Sequence, residues 1–252
     1  MRYLAALGFA AAAALAPVAG MAAHAPSVAA LAGKAVADPA RPASDTATDA
    51  SRKPAETLIF AGVKPGMTIG EFYPGGGYFT RLLSDMVGPG GHVYGIENIV
   101  WKGAVKADNA LLAGGKYPNV SMDARAFGTV NFPKPLDIAW VTQNYHDLKI
   151  AKYGVVDTLA FDRGVFNSLK PGGIFFILDH EAPPGTDVAA IEKLHRIEKA
   201  QVIREVTAAG FRLVVEGTFL RRATDDHTLP IFDKKVQGLT DQYALRFEKP
   251  RL

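Results

Sequence analysis

Three consecutive glycines, Gly75-Gly76-Gly77, follow a short apolar run and open a helix-like segment, and Glu97 stands 20 positions past the last of them. Glycines let a backbone turn tightly and let a ligand approach where a Cβ would collide. The helix that follows offers unpaired N–H groups and the positive end of its dipole. An acid ending the next strand is where a nucleoside-binding fold accepts hydrogen bonds from ribose hydroxyls. The combination points to a nucleoside-type site. In a hydride-transfer fingerprint the third glycine falls three residues after the second, which here is Thr80, and this disfavours a nicotinamide dinucleotide.

Three more polar groups follow strand-like runs: Asn144-Tyr145-His146-Asp147, Asp179-His180-Glu181, and a long loop with Arg221, Arg222, Asp225, Asp226 and His227. In an open parallel sheet, ligands bind beyond the carboxyl ends of the strands. These groups should therefore share one edge with Glu97, while His92 begins its strand on the opposite edge.

The elements that must position them alternate between strand and helix patterns, the signature of a parallel sheet covered on both faces. The spacing predicts strands over 67–72, 92–96, 120–124, 136–141, 174–178, 211–220 and 242–247. Helices are predicted over 78–86, 106–113, 157–169 and, without a break, 188–209. Pro54 suits a first helical turn, and Lys170-Pro171-Gly172-Gly173 and Gly210 read as helix stops. Trp101 and Trp140 read as core or pocket wall, and His195-Arg196 as part of a helix surface.

The 252 residues fit one large domain once the front end is set aside. Arg2 is the only charged residue before Lys34, an apolar run covers 3–16, and Ala23-His24-Ala25 fits a small-x-small cleavage pattern. Residues 1–25 therefore read as a signal peptide and the protein as exported, periplasmic or secreted. Pro17 interrupts an alanine-rich run, which argues against a stable membrane span. Residues 26–50 carry few large side chains and read as a flexible linker to the domain at 51–252. The chain has no cysteine, which excludes disulfides, thiolate metal sites and cysteine nucleophiles. A net charge of +3 without a basic stripe offers no nucleic-acid platform, so a small molecule is the default substrate.

The stretch Glu71-Phe72-Tyr73-Pro74-Gly75-Gly76-Gly77-Tyr78-Phe79-Thr80 resembles the first motif of class I S-adenosylmethionine-dependent methyltransferases, where an acid precedes a glycine-rich turn. Glu97 matches that family's ribose-binding acid, Leu136-Asp137-Ile138 with Asn144 resembles its fourth motif, and Leu169 to Gly173 resembles the turn before its fifth strand. Gln143 to Asp147 and Asp225 to Thr228 are similar to stretches in bacterial exported predicted methyltransferases. The resemblance runs from about residue 51 to the C-terminus. It departs at Tyr73, where most class I enzymes have a glycine, and it offers no acid after the third strand for an adenine amino group, Asp123 standing too early. The resemblance implies a Rossmann-like three-layer α/β/α sandwich, with a mostly parallel seven-stranded sheet and an antiparallel last strand. It further implies S-adenosylmethionine held by Glu71, Tyr73, Pro74, Gly75, Gly76, Gly77, Glu97 and Asn144.

Methyl transfer from a sulfonium is a direct displacement, needing an aligned acceptor and a base only when the acceptor must lose a proton. His146 is the first candidate for that base, with Asp147 or Tyr145 orienting it or the substrate. His146, His180 and His227 beside carboxylates could instead bind a divalent metal, but no pair has i, i+4 spacing, and no metal site is assigned. A binding module that keeps the fold and holds another small ligand is the alternative from a different class.

Overall fold

The computed structural model describes residues 26–251, so the predicted signal segment lies outside the described residues. Four helices lead the fold: α1 (Val28–Val36), α2 (Ala43–Thr46), α3 (Asp49–Arg52) and α4 (Pro54–Ala61). Next come β1 (Thr68–Phe72), α5 (Tyr78–Val87), β2 (His92–Asn98), α6 (Lys102–Ala113), β3 (Val120–Arg125) and β4 (Leu136–Thr142). Two short 3₁₀ turns, His146–Lys149 and Ala151–Tyr153, lead to α7 (Thr158–Ser168) and β5 (Leu169–His180). The chain ends with α8 (Val188–Leu194), α9 (Lys199–Ala208), β6 (Arg212–Gly217) and β7 (Gln242–Glu248).

The seven strands form one sheet in the order β3-β2-β1-β4-β5-β7-β6. β3, β2, β1, β4 and β5 run parallel, and β7 lies antiparallel between β5 and β6. This is the Rossmann-like arrangement expected. Side chains alternate along the strands, so both faces are apolar. Ile69, Ile138, Trp140, Phe176 and Leu178 meet α1, α4 and α5 on one face. Phe72, Val141, Phe175, Ile177 and Phe247 meet α7 and α9 on the other. Each such side chain stabilises the fold by about 1.5–3 kcal/mol.

Two expectations need correction. The linker predicted over 26–50 is folded: Ala32 and Ala35 are buried against the core, and the small side chains let α1 pack closely on α4 and α5. Ion pairs clamp the segment, Arg41 with Asp49 and Arg81 of α5 with Asp45, both at 2.7 Å. The single helix predicted over 188–209 is two helices. His195 takes a left-handed conformation (φ 54°), ending α8, and Ile197 then bridges to Glu181 before α9 begins. Two strand limits also move. β5 starts at Leu169, because the Lys170–Gly173 stop forms an irregularity within its pairing to β4, and β6 ends at Gly217.

Candidate functional site

The parallel strands end level with one another. Tyr73 N–H donates to Ile96 O at 2.8 Å, and Gln143 N–H to Leu178 O at 2.7 Å. Just beyond, Tyr73 (φ 59°) and Gln143 (φ 61°) both turn the chain through left-handed backbone, which costs a non-glycine residue about 1–2 kcal/mol. A cavity of about 350 Å³ opens at this edge. That is within the range of small-molecule sites.

One wall is the expected turn: Glu71, Tyr73, Pro74 and Gly75 line the cavity, and Asn144, His146 and Asp147 line it from the end of β4. Tyr73 is held by stacking against Phe127 and Trp101, and its hydroxyl accepts the Gly128 N–H at 3.1 Å. Glu71 accepts the Thr80 hydroxyl at 2.6 Å. Burial pushes the Glu71 carboxyl up to about 8, so it carries a proton at neutral pH.

Gly76, Gly77 and Glu97, expected among the cofactor contacts, do not line the cavity. A Cβ on Gly77 would collide with Leu111 of α6, and one on Gly76 would touch Ala107. Those glycines let α6 pack on the turn. Glu97, 1 % exposed, turns its carboxylate to the backbone, accepting Gly75 N–H at 2.9 Å and Asn98 N–H at 2.7 Å. Burial lifts its pKa to about 7, partly offset by those two bonds. The cavity is therefore bordered by Pro74 and Gly75 of the turn but by no acid from β2.

Tyr145 also departs from expectation. It is fully buried on the far side of the 3₁₀ turn, where its hydroxyl reaches Asp162 at 2.8 Å and Glu205 at 3.3 Å. Successive residues of the turn point in different directions, and only His146 and Asp147 enter the site. Asp179, fully buried at the end of β5, accepts both the backbone N–H and the ring Nδ1–H of His146, each at 2.8 Å. Burial lowers the pKa of His146, but Asp179 and Asp147 outweigh it and raise it to about 10. An imidazolium cannot accept a proton, so His146 would act as the expected base only from its neutral form. His180 lines the same wall, bonded to Thr240 Oγ1 at 2.7 Å, and burial holds it neutral, its pKa near 3.

His227 does not converge with them. It bonds Asp241 at 3.0 Å outside the cavity. The third imidazole is His195, 6 % exposed, placed there by the break after α8. Its ring contacts Phe232, which with Ile231 forms the rim. The rim loop is anchored by Arg196, whose guanidinium pairs with Asp225 at 2.8 Å with both side chains buried. Arg52, at the end of α3, was also not foreseen. It lines the cavity, stacks on Tyr78 at 4.4 Å and, among the described residues, pairs with no carboxylate. Trp101 is cavity wall and Trp140 core, and His92 bonds Ser121 at the opposite edge, all as expected.

The chain matches no protein-family profile, and no curated protein matches it. Solved structures do resemble it. A methyltransferase from Mesorhizobium loti, S-adenosylmethionine dependent, superimposes with a TM-score of 0.57 at 14 % identity, over 80 % of this chain and 99 % of its own. One from Aquifex aeolicus gives 0.54 at 17 % identity, over 81 % and 97 %. The fold is that of the S-adenosylmethionine-dependent methyltransferases. The [4+2]-cyclase SpnF also shares it, with a TM-score of 0.55 at 18 % identity over 83 % and 82 %. A methyltransferase fold thus carries other chemistry as well, and the site must decide.

Proposed function

We propose that the chain is an S-adenosylmethionine-dependent methyltransferase acting on a small molecule. The observation that carries this reading is the coincidence of the Glu71–Gly75 turn with the wall of the sheet-edge cavity. When bound, the donor supplies an electrophilic methyl group. Pro74 and Gly75 present backbone to its nucleoside, and Glu71, protonated, offers a hydrogen bond in place of a charge. The guanidinium of Arg52 suits a carboxylate at the amino-acid end. His146, Asp147 and Asn144 face the acceptor space, with Asp179 fixing the His146 ring. Glu97 holds the turn in shape and is one step removed from the ligand.

A second reading, a binding module for another small ligand, is favoured by one observation: both oxygens of Glu97 are already used by backbone N–H groups. Titration calorimetry with S-adenosylmethionine and S-adenosylhomocysteine on the purified chain separates the two. Saturable heat with both supports the donor reading, and silence at millimolar donor overturns it. The export read from residues 1–25 belongs to the same proposal, and N-terminal sequencing of protein from the periplasm tests it.

A further inference from the structure

Three side chains meet at one point of the cavity wall. His146 Nε2, His195 Nδ1 and Asp147 Oδ1 lie 3.3 Å from one another along all three edges. From this geometry we infer a binding site for a divalent transition metal, of which zinc fits best, with His146, His195 and Asp147 as its protein ligands.

The triangle itself favours zinc. Donors 3.3 Å apart form one face of a tetrahedron whose centre lies about 2.0 Å from each, the usual zinc–nitrogen and zinc–oxygen distance. An octahedral face of the same size would put the ion about 2.3 Å away, too long for imidazole on zinc. Two histidines and one carboxylate, with a position left open, form the donor set of catalytic zinc rather than of calcium or magnesium.

A second observation is independent of the triangle. Asp147 is 5 % exposed, and its Oδ1 is a buried carboxylate oxygen that lacks a hydrogen-bond partner of acceptable geometry. Such an atom is costly unless something positive meets it. Its other oxygen is fixed by Asn144 Nδ2 at 2.9 Å, which leaves Oδ1 as a single, aimed ligand atom.

The surroundings match a metal centre too. Asp179 bonds Nδ1 of His146 and so turns Nε2 toward the triangle as the ligand atom, its proton displaced when a metal binds, as carboxylates do behind metal-bound histidines. His195 reaches the triangle only through its left-handed backbone, a strained conformation that needs a return elsewhere. All three ligands line the cavity, so the fourth position faces its interior. There a bound water, or an acceptor oxygen, would be acidified.

The test reads metal rather than activity, so it stands or falls separately from methyl-donor binding. The full chain is stripped with chelator, dialysed, and titrated with Zn(II) and with Co(II). One ion per chain and the intense visible absorption of four-coordinate Co(II) are expected. Asp147→Asn and His195→Gln should each weaken binding at least tenfold, with circular dichroism showing that they fold. His227→Gln, outside the cavity, should bind as the parent does. Failure of the parent chain to hold stoichiometric metal, or undiminished binding in both ligand variants, would show the triangle to be a hydrogen-bonded cluster and overturn the site.

Discussion

The carboxylate of Glu97 accepts the backbone N–H of Gly75 at 2.9 Å, tying the end of β2 to the turn that follows β1. Its other oxygen takes the N–H of Asn98. Glu97→Ala leaves both donors without that partner, and we expect a loss of about 1–3 kcal/mol of stability. The midpoint of urea denaturation checks it. A midpoint equal to the parent's would mean that these bonds contribute nothing.

Tyr73 gives a finer probe. Tyr73→Phe keeps the ring between Phe127 and Trp101 but removes the oxygen that accepts the Gly128 N–H. The cost should be about 1 kcal/mol, with faster hydrogen exchange at the Gly128 amide and little change elsewhere. Uniformly faster exchange would instead point to global destabilisation.

Glu71 makes stability depend on pH. Burial raises its pKa from 4.5 to about 8 in the folded chain, so the folded state keeps a proton that the unfolded state releases. Its contribution is fully present below pH 4.5 and is lost as pH rises toward 8, by up to about 1.4 kcal/mol per unit. His180, held near 3 by burial, works in the opposite sense below pH 6.5, so the parent's profile alone is ambiguous. The difference between Glu71→Gln and parent isolates the effect: the variant should gain on the parent between pH 5 and 8. Parallel profiles from urea melts would place the Glu71 pKa in its ordinary range.

Arg196→Ala should be the most damaging of these changes. It leaves Asp225 charged, buried and unpaired, and breaking a buried pair on one side costs about 3–5 kcal/mol. The guanidinium also bonds the carbonyls of Glu181 and Leu229, so the rim loop should become the first site of proteolytic nicking. Cleavage elsewhere first would assign the anchor to another contact.

The sheet was legible because glycine and proline punctuate it and its apolar runs have strand length. The glycine turn was legible as a turn, and His146 as a residue of the strand-end edge where the cavity opens. Other parts were hidden for physical reasons. Nothing in Leu194-His195-Arg196 interrupts the helical spacing of 188–209; no glycine or proline marks the left-handed residue, so the imidazole that completes the triangle read as surface. Tyr145 was drawn into the site by its neighbours, although a 3₁₀ turn sends adjacent side chains in different directions. Small residues made 26–50 look unable to bury surface, yet charge pairs hold the segment alongside the buried Ala32 and Ala35. Glu97 stood where expected in sequence, but which way a carboxylate turns at a strand end is decided by the N–H groups around it.

The clamped leading segment sets a limit on N-terminal trimming. Arg52, in the cavity wall, ends the segment of α1 to α3 that Arg41 with Asp49 and Asp45 with Arg81 clamp to the domain. A protease that cut ahead of Ser27 would spare the Ser27 cap of α1 and both ion pairs. One that continued through Asp49 would strip the lining from one side of the ligand chamber.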